Sequence, residues 1–184
     1  MWHFHCSPIR AALPRRVPTI AFVAGRAIAG ARRPLAVIAA ALALLAVAGH
    51  PLQAQERFAK AELVIVSGAK SHKFTVEIAR TRNQRAQGLM WRRKVPRNTG
   101  MLFLHPSDRI LQMWMKNTFV PLDMLFIDRS GTILEIKERA VPHSTAVIGS
   151  RQKARAVLEL AGGTASRLGV KPGDRVLHEA FAKP

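Results

Sequence analysis

Residues 100–128 read GMLFLHPSDRILQMWMKNTFVPLDMLFID, and the fold turns on how this stretch divides. Met101 to Leu104 is a short continuous apolar run, the pattern of a buried strand. Pro106-Ser107-Asp108 supplies a break. From Ile110 to Lys116 the residues alternate: Leu111, Met113 and Met115 share one face, and Ile110, Gln112, Trp114 and Lys116 share the other. Asn117 to Pro121 forms a loop or bend. Leu122 to Ile127 returns as a strand, closed by the turn Asp128-Arg129-Ser130-Gly131.

The flanks continue the pattern. Ala61 to Val66 reads as a strand, Ser67 to Lys70 as a turn, and Lys73 to Ile78 as a second strand with Phe74, Val76 and Ile78 on one face. Thr81 with Gln84 three residues later fits a capping box, so Arg82 to Gln87 is a short polar helix that Gly88 ends. Leu89, Met90 and Trp91 are expected to dock that helix on the sheet. After the central stretch, Thr132 to Lys137 pairs back, with Ile133 facing opposite to Leu134 and Ile136. An irregular region around His143 leads to a strand over Ala154 to Leu160. Gly162 to Gly169 holds a turn and one or two helical turns, Lys171 to Asp174 a tight turn, and Arg175 to His178 a last strand. The expectation is a mainly β chain, a compact antiparallel β-sandwich or barrel with two short helices, over a single domain spanning 56–184.

Residues 1–55 read differently. Leu35 to Gly49 is a 15-residue apolar run preceded by Arg32-Arg33, with Ala54 at a small-residue cleavage position. A basic lead, an apolar segment and a small residue are the pattern of a secretory signal peptide, with cleavage expected near Ala54. The run is short for a membrane span, which needs about 20 apolar residues. The chain is therefore expected to be exported, periplasmic or secreted. The alternative is anchoring to the cytoplasmic membrane by residues 35–49. No cysteine follows the apolar run, which excludes a lipid-anchored lipoprotein.

Composition adds a positive field. There are 29 Lys and Arg against 11 Asp and Glu, and six of the basic residues lie in the first 55. The remaining chain carries 23 against 11, an excess of 12. Such a field attracts anionic polymers, lipid headgroups or nucleic acid. The basic residues are scattered apart from Arg92-Arg93-Lys94 and Arg97, without an Arg-rich tract, zinc finger or RNA-binding aromatic signature, so nucleic acid is disfavoured. The single cysteine, Cys6, lies in the leader, which leaves no disulfide or thiol metal site in the body. His72, His105, His143 and His178 show no ligand spacing, so neither a metal nor another cofactor is expected.

The order of short motifs resembles the bacterial and archaeal family DUF192. The matching residues are Gln87-Gly88-Leu89-Met90, Gly100-Met101-Leu102-Phe103, Trp114-Met115-Lys116-Asn117-Thr118, Pro121-Leu122-Asp123 and Phe126-Ile127-Asp128 with Gly131. Farther on, Val157-Leu158-Glu159-Leu160 and Gly169 with Gly173-Asp174-Arg175-Val176 also match. The resemblance covers about Leu63 to Leu177 and implies one mainly β domain, often exported. It implies no reaction, ligand or catalytic residue, because the family has none established. Trp91 and the loop His105 to Arg109 depart from its pattern.

The Gln112/Trp114/Lys116 face is the first candidate site. An indole beside hydrogen-bonding side chains suits a sugar ring, and an ammonium attracts a carboxylate or phosphate. The opposing reading is that Trp114 covers a second sheet face and Lys116 extends past its rim into water. Asn117 belongs to the same run. Asp123 shares its face with Leu125 and Ile127, and an acid on an apolar face needs a partner. Backbone of Asn117 or Thr118, or the Lys116 ammonium, could supply it. Three functions follow: a non-catalytic binding module for an anionic or carbohydrate cell-envelope ligand, which the residues favour; a structural or interaction protein without a small-molecule ligand; and an envelope enzyme using Asp123 and Lys116 as an acid/base pair.

Overall fold

A computed structural model describes residues 55–181. The apolar run 35–49, the arginine pair and the cleavage position near Ala54 lie outside the described residues. Among the described residues nine strands form: β1 Ala59–Ser67, β2 Lys70–Ala79, β3 Thr99–Arg109, β4 Gln112–Met113, β5 Leu122–Ile127, β6 Ile133–Ala140, β7 Ile148–Gly149, β8 Ala154–Ala161 and β9 Arg175–Leu177. Two short helices accompany them, α1 Arg82–Gln87 and α2 Thr164–Leu168, with a 3-10 turn at Glu179–Phe181.

Seven strands make one curled sheet, in the order β6-β5-β8-β3-β2-β1-β9, while β4 and β7 pair separately. The architecture is mainly β, a half-barrel in one sheet rather than two stacked sheets. Thr132 bridges Arg175, and Ile133 donates to the Asp174 carbonyl at 2.9 Å. The two ends of the strand order therefore meet at one corner. Neighbours are antiparallel except β2 and β3, which run parallel, Thr75 opposite Thr99. A parallel pair needs a crossover. α1 lies within that crossover, which is why a helix interrupts the β pattern there.

Local sequence accounts for most elements. The β1–β2 hairpin pairs Leu63 with Phe74, and Phe74, Val76 and Ile78 are all buried. The capping box forms as written: the Thr81 side chain accepts from the Gln84 N–H, and the Gln84 side chain accepts from the Thr81 N–H. Gly88 follows with φ 49° and ψ −135°, and a Cβ there would meet the Phe103 ring at 3.0 Å. Both observations require glycine.

Three details differ from the sequence reading. Pro106-Ser107-Asp108 does not end β3; the strand continues to Arg109, with a register shift against β8 after Leu104. Within β5–β6, Phe126 faces Glu135 while Ile127 faces Ile133, so Leu134 is an extra residue. That bulge puts Ile133 and Ile136 on the same, inner side and Leu134 outside. Trp91 does not dock α1: it is 56% exposed, and Leu89 is the buried member of its trio.

The sheet has two apolar faces. Leu63, Ile65, Phe74, Leu102, Leu125 and Leu158 fill the inside of the curl, closed by Ala165, Val170 and Phe181. Met101, Phe103, Met124, Phe126 and Val157 point outward, covered by Leu89, Leu111 and Met115. Each such buried side chain contributes roughly 1.5–3 kcal/mol. The outer cover is made largely of irregular chain, and the candidate site is built in it.

Candidate functional site

The segment 110–121 is held over β3, β5 and β8 by its alternate residues. Leu111 and Met115 are buried, while Gln112, Trp114 and Lys116 face out, as the alternation requires. Only Gln112–Met113 forms strand, paired with Ile148–Gly149. The rest is fixed by cross-loop hydrogen bonds. Leu111 N–H donates to Ser150 Oγ and Ser150 N–H to the Leu111 carbonyl, each at 2.9 Å. Met115 N–H donates to the Ser144 carbonyl at 2.9 Å.

Three non-glycine residues at this place take left-handed backbone: Trp91 (φ 67°), Asn117 (φ 57°) and His143 (φ 61°). They belong to one hydrogen-bonded cluster. Trp91 N–H donates to the Asn117 carbonyl at 2.8 Å, and His143 N–H to the Thr118 carbonyl at 3.1 Å. Such conformations cost of order 1–3 kcal/mol each and concentrate where a surface has work to do.

Large aromatics stand exposed around this cluster. Trp91, Trp114 and Phe119 are 56%, 48% and 38% exposed. Trp91 meets Phe119 edge-on at 6.1 Å, and Phe119 meets His143 at 5.1 Å. Lys116 Nζ lies 5.4 Å from the Trp114 ring centre, and the Arg93 guanidinium 5.9 Å from that of Phe119. Beside them a groove of about 780 Å³ is lined by Gln55, Glu56, Asn83, Gln87, Met90, Trp91, Arg92 and Asn117, with Arg92 paired to Glu77. Its walls thus combine an indole, a thioether, four amides, a carboxylate and a guanidinium.

Gln87 and Met90 also line a second, narrow crevice of about 30 Å³, walled by Arg85, Met113, Trp114, Lys116 and Thr118. One of its lining groups is the Glu159 side chain. Glu159 sits on β8 between Met101 of β3 and Met124 of β5, and is 4% exposed. Burial pushes its carboxyl up to about 8. Among the described residues no donor reaches its oxygens: Arg85 Nη1 is engaged by the carbonyls of Arg80 and Leu104, and Lys116 leans on Trp114.

The structure gathers Trp114, Lys116 and Asn117 at this surface. Gln112 is exposed on β4 but lines neither groove nor crevice. Asp123 is elsewhere. Its carboxylate faces the inside of the curl, where it accepts from Arg139, Gly163 and Ala165 N–H groups, each at 2.8 Å. Those donors come from β6 and the start of α2, not from Asn117, Thr118 or Lys116. Its parity opposes that of Met124, so Asp123 and the Lys116 crevice lie on opposite faces of the sheet, and the two do not form an acid/base pair.

Sequence reasoning passed over Trp91, Phe119 and Glu159 as site residues. Glu159 was visible as the single acid inside Ala156-Val157-Leu158-Glu159-Leu160, on the face shared with Val157. Trp91 and Phe119 gave no periodic signal, because both stand in irregular chain.

A curled sheet with an outer loop cover and an open aromatic surface defines a β-rich protein with a formed groove. The chain belongs to the DUF192 family, an uncharacterised ACR, whose model matches residues 64–178. It is similar to a solved structure from Sinorhizobium meliloti 1021, described as a candidate transcription regulator, at 48% identity and a TM-score of 0.67. That match covers 68% of this chain and 98% of the other. It is also similar to a protein of unknown function from Novosphingobium aromaticivorans DSM 12444, at 34% identity and a TM-score of 0.64, covering 70% of this chain and 90% of the other. No curated protein matches the chain.

Proposed function

We propose that the protein is a non-catalytic binding module for an anionic glycan of the cell envelope. One observation carries this reading: Trp91, Phe119 and Trp114 stand exposed beside a groove lined mainly by amide side chains, where Trp91, Asn117 and His143 hold left-handed backbone. Aromatic faces stack on sugar rings, amides bond hydroxyls, and Lys116 attracts acidic substituents, while Arg92 is already paired with Glu77. The excess of basic residues raises the local concentration of such a polymer. Export, which the first 55 residues suggest, would bring the protein to it.

Regulation of transcription, the description given to the Sinorhizobium protein, finds little support here. The helices among the described residues have 6 and 5 residues, too short to lie along a major groove as a recognition helix does.

The test is binding of oligogalacturonate, a neutral chito-oligosaccharide and a flexible polyanion, followed by tryptophan fluorescence at two salt concentrations. Saturable binding that falls about tenfold or more in Trp114→Ala and in Lys116→Ala supports the reading. Binding of the polyanion alone, fading with salt and indifferent to Trp114, would reduce the surface to a nonspecific field.

A further inference from the structure

Glu159 has no structural task that its surroundings reveal. A carboxyl buried beside Met101 and Met124, with no donor in reach, destabilises the sheet relative to an apolar residue of similar size. Groups kept against stability are found where a ligand uses them. The crevice that reaches it has the volume of one small polar group, opens beside Trp114, and has Gln87 and Met90 in common with the groove. We propose that this crevice is the subsite for the glycan's carboxylate, which the protonated Glu159 receives by donating its O–H to a carboxylate oxygen. The inference rests on the glycan reading and names the acid group that the site selects.

The chemistry is a hydrogen bond between two carboxyl groups sharing one proton, with no bond broken. A donor to an ionised acceptor is the stronger kind of hydrogen bond. The charged groups that line the same crevice favour it, although neither pairs with Glu159 itself. α1 contributes Arg85, and the segment after β4 contributes Lys116. β3 and β5 present Met101 and Met124, and the chain after α1 presents Leu89 and Met90, none of which titrates. With Glu159 neutral the crevice is therefore cationic. With Glu159 ionised, a second carboxylate would meet a like charge at close range. A uronic acid keeps its charge over pH 6–9.5, and comparison with Glu159→Gln isolates the contribution of Glu159. The change in affinity there belongs to Glu159.

The experiment measures trigalacturonate, its methyl ester and chitotriose against the full chain and Glu159→Gln from pH 6 to 9.5. Wild-type affinity for trigalacturonate is expected to be level to about pH 7.5 and then to fall by about tenfold per pH unit above 8. Glu159→Gln keeps a donor without a titrating proton, so its affinity should stay level. The two neutral ligands should show no pH slope with either protein. Equal pH profiles for wild type and Glu159→Gln would overturn the subsite and leave the glycan reading standing. Wild-type binding of chitotriose without trigalacturonate would overturn the subsite and the anionic-glycan reading together. Binding of none of the three overturns both. A second measurement needs no variant: the carbon-13 shift of the Glu159 carboxyl, titrated with and without saturating acetate. A midpoint that rises with acetate supports the subsite, and an unmoved midpoint overturns it.

Discussion

Asp123 and Glu159 are both buried acids on adjacent strands of one sheet, Asp123 opposite Leu160 and Glu159 opposite Met124, yet they live in opposite circumstances. Asp123 faces inward and accepts three backbone N–H groups. Glu159 faces outward, into a crevice, and accepts from none of the described residues. The first carboxylate replaces its lost water with fixed donors and joins α2 to β6. The second loses most of its water and receives no donor from the described residues in return. Burial alone therefore does not tell a structural acid from a functional one; the donor count does.

The largest expected effect breaks the structural half of this comparison. Asp123→Ala leaves the Arg139, Gly163 and Ala165 N–H groups without their acceptor and should destabilise by about 4 kcal/mol in urea unfolding. A loss below about 1 kcal/mol would mean that water or neighbouring carbonyls replace the carboxylate, and the contrast with Glu159 would dissolve.

Next comes the sign change at Glu159. Its folded value of about 8 lies above its ordinary 4.5, so its contribution is whole below pH 4.5 and is lost progressively as pH rises toward 8. Glu159→Gln should match wild type near pH 4.5 and exceed it by roughly 2–3 kcal/mol at pH 7. Parallel stability curves for the two proteins would show that the carboxyl finds a partner. The smallest effect is expected at the rim. Trp114→Ala removes a half-exposed ring and should shift stability by under about 0.5 kcal/mol while weakening the glycan. A larger loss would make Trp114 part of the cover over β3 and β8.

How much of this was legible follows the same division. The inner face declares itself by period: Phe74, Val76 and Ile78 alternate, and Thr81 with Gln84 spells its own helix start. That Asp123 needs a partner was readable from Leu125 and Ile127 beside it. Its actual donors were not, because Gly163 and Ala165 lie 40 and 42 residues away, and nothing local points to them. The outer cover is irregular chain pinned by single hydrogen bonds, which leave no period. Lys116 and Trp114 were readable from the alternation of 110–116. Glu159 was readable only as one acid in an apolar strand, since the crevice over it needs α1, β8 and the Trp114 segment together.

The corner where Thr132 meets Arg175 bears on how the molecule behaves at high concentration. An open seven-stranded sheet would offer two rows of unpaired backbone groups to any other copy of itself. Here β9 is three residues long, β6 carries Glu135, Lys137, Glu138 and Arg139, and the two rims occupy each other where they touch. Both borders are thus poor templates for a foreign strand, and the curl works as built-in resistance to edge-to-edge aggregation.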